Sequence, residues 1–149
     1  MIVKLKFNSE QVDQVAKEQV IPLLQKYSIF TFTGPLGAGK TTLIRSVLRQ
    51  CGVLDGVTSP TFGYVNSYQS NGVIYNHFDL YRIASVDEFM ALGFDEYFAN
   101  KNSVSFVEWP DVISSMLTSQ ELKQKICNIK IDYISDDISS RVIQISTQN

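Results

Sequence analysis

The run Gly34-Pro35-Leu36-Gly37-Ala38-Gly39-Lys40-Thr41 constrains this chain more than any other feature, because it fits G-x-x-x-x-G-K-[ST]. That pattern carries its chemistry only when a strand feeds the loop and a helix leaves it. Both flanks read that way. Ser28 to Thr33 (SIFTFT) is rich in β-branched and aromatic residues, the composition of a buried strand, and Gly34 ends it. From Lys40 the spacing predicts a helix with Leu43, Val47 and Leu48 facing inward and Arg45 and Arg49 facing out, stopped by Gly52.

Each residue of the loop has a task. Gly34, Gly37 and Gly39 let the backbone curl, so that consecutive amides and the helix N-terminus point at phosphate oxygens. Lys40 adds a positive charge at the β- and γ-phosphates, and the Thr41 hydroxyl suits Mg²⁺, a hard cation that takes oxygen ligands and keeps several waters. Thr42, in the first helical turn, is placed for a further phosphate contact. The cofactor-binding set is therefore Gly34, Leu36, Gly37, Ala38, Gly39, Lys40, Thr41 and Thr42, with ATP and Mg²⁺ as ligands. Asn100-Lys101-Asn102-Ser103 begins like the guanine-reading N-K-x-D but has serine in place of the aspartate, which argues for adenine over guanine.

Around this unit the chain reads as alternating elements. Val3, Leu5 and Phe7 alternate with Lys4 and Lys6, a half-exposed strand. Asn8 and Gln11 offer a capping pair to a helix carrying Val12, Val15, Ala16 and Val20 on one side, which Pro22 should break or kink. Phe62 to Tyr68 and Val73 to Asp79 flank Ser70-Asn71-Gly72, a strong hairpin signal. Ser85 to Glu88 is a capping box, Ser103 to Val107 (SVSFV) a short apolar strand, and Ile126 to Tyr133 with Arg141 to Ile145 a second hairpin around SDDISS. The expected fold is α/β: a single P-loop domain over residues 1–149, with a mixed, mainly parallel central sheet flanked by helices and antiparallel hairpins.

A phosphate loop needs a carboxylate opposite it, normally at the carboxyl end of a neighbouring strand. Asp79 follows VIYNHF and Glu108 follows SVSFV, so both qualify, and the residues alone leave open which one ligates the metal directly. Thr61, in Thr58-Ser-Pro-Thr61-Phe62, lies where nucleotide-sensing loops often sit, although Pro-Thr also makes an ordinary turn. His77, the only histidine, reads as a core or hydrogen-bonded residue ahead of a catalytic base. Trp109 and Pro110 suit either a wall of the nucleotide site or plain packing.

Bulk properties bound the partners. With 149 residues and 44% hydrophobic content, the chain has apolar material for one core. A formal charge of -2 provides no basic field, so tight unaided binding to nucleic-acid phosphates is not expected. Cys51 and Cys127 lack metal-ligand spacing, and no signal peptide or apolar run of bilayer length is visible, so a cytoplasmic location is expected.

Taken together, GPLGAGKTT at 34–42, VTSPTF at 57–62, HFDLYR at 77–82 and EWP at 108–110 resemble the bacterial TsaE (YjeE) family, in the family's order. Pro35 departs from it, standing where the family more often has an acidic residue. The resemblance implies an ATPase required for threonylcarbamoyladenosine formation at position 37 of tRNA. Its implied partners are TsaD and TsaB, with tRNA met only indirectly through that complex. It also implies that Lys40 binds phosphate, that Thr41 and Glu108 ligate Mg²⁺, that Asp79 orients water or acts one layer out near the γ-phosphate, and that Phe7 to Gln11 borders the adenine. Lys40, Asp79 and Thr61 form the implied catalytic set. Two other classes share the P-loop. A small-molecule kinase would usually bring more arginines over the phosphates than Arg45, Arg49, Arg82 and Arg141 supply. A nucleotide-gated binding module would use ATP mainly to order a surface.

Overall fold

The computed structural model describes residues 1–148 apart from Asp55, Thr58, Ser59, Thr61 and Phe62. The described strands are β1 (Ile2–Asn8), β2 (Ile29–Thr33), β3 (Val65–Ser70), β4 (Val73–Asp79), β5 (Ser103–Glu108), β6 (Ile126–Ile134) and β7 (Asp137–Thr147). They form one sheet in the order β1-β7-β6-β2-β5-β4-β3. Its centre, β6-β2-β5-β4, is parallel, and antiparallel pairing adds β3 at one edge and β7 and β1 at the other. The sequences of the strands explain this division. Every residue of β5 and all of β2 but Thr33 are buried, as parallel strands covered on both faces require. β1 alternates instead, with Lys4 and Lys6 exposed between apolar neighbours.

The helices are α1 (Val12–Val15), α2 (Lys40–Gln50), α3 (Val86–Ala91), α4 (Ser114–Leu117) and α5 (Gln120–Lys123). Two cores result, one on each face. Phe30, Phe32 and Phe106 pack with Val15, Val20, Leu43 and Ile44 beneath α1 and α2. Ile29, Phe78 and Val107 pack on the other face with Phe89, Phe94 and Ile113. Among the described residues Phe78 has four aromatic neighbours with ring centroids 5.4 to 5.9 Å away, so its truncation to alanine would cost about 3–5 kcal/mol.

Several local expectations are refined. The Asn8–Gln11 capping pair is present with both bonds, and Val15, Ala16 and Val20 are buried. Pro22 interrupts as expected, but the helix adjusts before it: Ala16–Val20 widens to a π turn and Ile21–Gln25 tightens to a 3-10 turn around the missing amide donor. β3 starts at Val65, because Tyr64 has φ 59 and cannot continue an extended strand; Phe62 lies outside the described residues. At Ser85 only one half of the capping box forms. Glu88 N donates to Ser85, but the Glu88 carboxylate accepts from Ala84 N. The last hairpin turns over Ser135 and Asp136 alone, and Ile138 to Ser140 belong to β7. Ile138 and Ser139 are exposed because they lie beyond the reach of β1, which stops at the Asn8–Ser140 pair, while Ser140 itself is buried.

Candidate functional site

The loop from Gly34 to Gly39 joins β2 to α2 and owes its path to its glycines. Gly34 has φ 140, and a Cβ there would run into the Ile131 carbonyl of β6. Gly37 has φ 75 and faces Tyr133, which would lie 2.9 Å from an added Cβ. Gly39, at φ 106, precedes the first turn of α2. The Tyr133 hydroxyl donates to the Leu36 carbonyl at 2.6 Å and so braces the exposed tip of the loop from β6. Arg141 of β7 lies over the Tyr133 ring, 4.4 Å from its centroid.

Lys40 turns back into this loop. Its Nζ donates to the carbonyls of Gly34 (2.5 Å) and Pro35 (3.1 Å), beneath the Trp109 ring. Burial pushes the Lys40 ammonium below its ordinary value, against the opposing pull of Glu108 and Asp79.

The two acids meet because β4 and β5 are parallel and in register. Asp79 pairs with Glu108 across the ladder, and Phe32 of β2 pairs with Glu108 on the other side. Both carboxylates therefore stand at the carboxyl edge of the sheet, opposite the start of α2. The Thr41 hydroxyl is 2.9 Å from each oxygen of Glu108, and Glu108 Oε2 is 2.6 Å from His77 Nε2. Asp79 is half-buried, and its Oδ1 accepts from Tyr81 N. Desolvation raises its pKa first; the Tyr81 amide lowers it, Glu108 raises it, and His77 and Lys40 lower it.

A cavity of about 220 Å³ is lined by Leu36 to Thr42 together with Asp79, Glu108 and Trp109. It thus gathers most of the phosphate-binding residues and both acids expected from the sequence. Thr61 lies outside the described residues. Arg45 Nε donates to the Val57 carbonyl at 2.8 Å, so Arg45 ties Val57 to α2 and does not simply face out. Phe7 is buried in the core, and the side chains of Asn8 and Gln11 cap a helix. Phe7 and Gln11 border a separate cavity of about 130 Å³ that shares no lining residue with the loop cavity. A larger cavity, about 420 Å³, opens beside Thr31, Asn128 and Gln144. It contains neither a phosphate-loop residue nor the acid pair, so size alone does not mark the site.

The donor set fits Mg²⁺. Two oxygens on neighbouring corners of an octahedron with metal–oxygen bonds of about 2.0–2.1 Å are about 2.9 Å apart. That is the spacing between the Thr41 hydroxyl and the Glu108 oxygens. Among the described residues no group of three or more His, Cys, Asp and Glu is placed to hold a metal. Mg²⁺ does not need one, since it commonly binds through one or two side chains plus water and substrate phosphates. Charge points the same way. One lysine against two carboxylates leaves the site without surplus positive charge, so a polyphosphate would enter with a divalent cation.

A family model described as "Threonylcarbamoyl adenosine biosynthesis protein TsaE" matches residues 7–142, a range that holds every site residue named above. The chain belongs to the TsaE family. The tRNA threonylcarbamoyladenosine biosynthesis protein TsaE of Haemophilus influenzae is 36% identical over 112 residues, covering 75% of this chain and 67% of that protein. The protein of the same name from Rickettsia felis is 34% identical over 112 residues, covering 74% of this chain and 64% of that protein. The chain thus spans about two thirds of the length of these TsaE relatives. The crystal structure of Bacillus subtilis YdiB superposes with a TM-score of 0.71 at 24% identity, covering 100% of this chain and 88% of that one, and shows the shared fold. Among the described residues no helix is long and apolar enough to cross a membrane.

His77 is the buried, hydrogen-bonded histidine expected from the sequence, and its place two residues before Asp79 in the same strand puts it on the same face as that acid. Tyr133 and Arg141 are neighbours of the loop that the sequence does not announce. Tyr133 and Leu36 are 97 residues apart, and no local pattern links them.

Proposed function

We propose that this chain binds ATP with Mg²⁺ and hydrolyses it in support of threonylcarbamoyladenosine formation at position 37 of tRNA, acting with TsaB and TsaD. The observation that carries the nucleotide half is the convergence of Thr41, Glu108 and Asp79 on a glycine-bent loop that already surrounds a lysine. Membership of the TsaE family supports the tRNA half.

In this reading the backbone of Leu36 to Gly39 and the start of α2 receive the phosphates, and Lys40 exchanges the carbonyls of Gly34 and Pro35 for phosphate oxygens. Thr41 and Glu108 would hold Mg²⁺, which would offset charge on the phosphates. Asp79 orients a water toward the γ-phosphorus; the water oxygen bonds to that phosphorus as the bond to the ADP oxygen breaks, and the water's proton leaves on the released phosphate. Thr61 belongs to the catalytic set as the hydroxyl expected at the γ-phosphate. Among the described residues no arginine lines the cavity. Hydrolysis by the chain alone is then slow, since an arginine supplied by a partner can be worth roughly 10³ to 10⁵ in rate. A cytoplasmic location, where tRNA is modified, goes with this role.

Reconstitution tests the proposal. TsaB, TsaD, tRNA and the threonylcarbamoyl donor are incubated with ATP, with and without this chain, and modified adenosine is counted over many turnovers. Sustained formation that needs the chain is expected; formation equal with and without it overturns the reading.

A further inference from the structure

Glu108 is a carboxylate buried to 3% exposure at the end of β5, and among the described residues Thr41 and His77 are its side-chain hydrogen-bond partners. The Thr41 hydroxyl lies 2.9 Å from both oxygens, so its single proton does not choose between them by distance. His77 does choose. Its Nε2 lies 2.6 Å from Oε2, and its side chain is completely buried. The ladder explains the reach: His77 pairs with Phe106, two residues before Glu108, so the imidazole meets the carboxylate diagonally on one face of the sheet. The other ring nitrogen, Nδ1, is buried without a hydrogen-bond partner among the described residues. A proton on Nε2 therefore serves the carboxylate, and Nδ1 is left as a bare acceptor, which costs less than an orphaned N–H beside an unsatisfied acid.

We infer that His77 is the positioning residue of Glu108: by donating to Oε2 it fixes the carboxylate plane against Thr41. The inference rests on the proposed role of Glu108 as a Mg²⁺ ligand. His77 does not line the phosphate-loop cavity, so it acts through Glu108 and not on substrate. Its contribution grows when the site is loaded. Once Thr41 turns a lone pair toward a cation shared with Glu108, its proton points away, and His77 is the remaining side-chain donor to that carboxylate among the described residues. Removing such a support commonly costs about 10- to 100-fold in metal affinity.

Two measurements test it. First, Mn²⁺ binding at saturating ADP is followed by electron paramagnetic resonance for the wild type, Glu108→Gln, His77→Phe and His77→Gln. His77→Phe should weaken Mn²⁺ about 10-fold or more, while His77→Gln, whose amide can donate to the same oxygen, should stay within about threefold of wild type. If Glu108→Gln leaves Mn²⁺ affinity unchanged, the ligand role of Glu108 fails and this inference falls with it. If Glu108→Gln weakens binding but His77→Phe does not, only this inference is overturned. Second, nitrogen-15 NMR of the unaltered chain needs no variant to fold, and the single histidine gives an unambiguous signal. A proton on Nε2 whose resonance shifts when Mg²⁺ is added to the ADP-bound chain supports the inference. A proton on Nδ1, or a signal indifferent to Mg²⁺, overturns it.

Discussion

The Lys40 ammonium lies 4.2 Å from the centre of the Trp109 ring. Trp109 takes this place with φ 56 and ψ 57, a left-handed conformation that a bulky residue adopts only where its surroundings hold it. The ring also meets Tyr81, with centroids 5.0 Å apart. Phosphate oxygens that replace the Gly34 and Pro35 carbonyls must therefore change the surroundings of the chain's only tryptophan. ATP with Mg²⁺ should produce a saturable change in tryptophan emission. Lys40→Ala should remain folded by circular dichroism yet bind ATP at least about tenfold more weakly, as expected for a lost charge-assisted hydrogen bond. Unchanged affinity measured by calorimetry would take Lys40 out of the site.

Asp79 carries a desolvation cost in the folded chain. Desolvation is the first cause of its raised pKa, so the folded chain binds the Asp79 proton more tightly than the unfolded chain does. Stability from this group is then greatest below the ordinary carboxylate range and is lost as pH rises through the folded pKa. Asp79→Asn should raise the melting temperature of the nucleotide-free protein at neutral pH, with the advantage shrinking toward about pH 4. The same variant should slow ATP hydrolysis. Thermal melts across pH check the first expectation; an advantage that grows on acidification would contradict it.

The glycines of the loop should not be equivalent. Gly34→Ala places a methyl group against the Ile131 carbonyl and should destabilise the fold by about 2 kcal/mol or more. Gly39→Ala meets open space and should cost only the strain of its positive φ, about 1–2 kcal/mol. Urea unfolding ranks the two, and equal losses would mean that the contact with β6 is unimportant.

The sequence was most legible where the determining contacts are local. Gly34 to Thr41 announces its own strand–loop–helix setting, and Asn71-Gly72 announces its hairpin, with both residues at positive φ in the structure. Asp79 and Glu108 were recognisable because each ends an apolar run, and parallel register then sets them side by side. Contacts that depend on register across distant strands were hidden. His77 and Glu108 are 31 residues apart and Tyr133 and Leu36 are 97 apart. Arg45 shows the limit of helical periodicity: its position on α2 faces outward by spacing, yet its side chain is drawn to the Val57 carbonyl by a segment that periodicity does not describe.

If Glu108 ligates the cation and Asp79 orients water, their alanine variants should fail differently. Glu108→Ala should shift the Mg²⁺ concentration needed for half-maximal activity by about tenfold or more, whereas Asp79→Ala should chiefly lower turnover. Mg²⁺ titrations of both variants at fixed ATP decide the ranking. The opposite pattern would exchange the two roles.

Release of inorganic phosphate measures Mg²⁺-dependent ATP hydrolysis at the proposed Lys40–Thr41–Glu108 site. At one salt concentration, phosphate is followed for the chain alone, with tRNA, and with TsaB and TsaD, each with and without Mg²⁺ and each repeated with Lys40→Ala. Release should be slow and Mg²⁺-dependent for the chain alone, little changed by tRNA, markedly faster with TsaB and TsaD, and lost in Lys40→Ala. Release that persists without Mg²⁺ or in Lys40→Ala would contradict hydrolysis at this site.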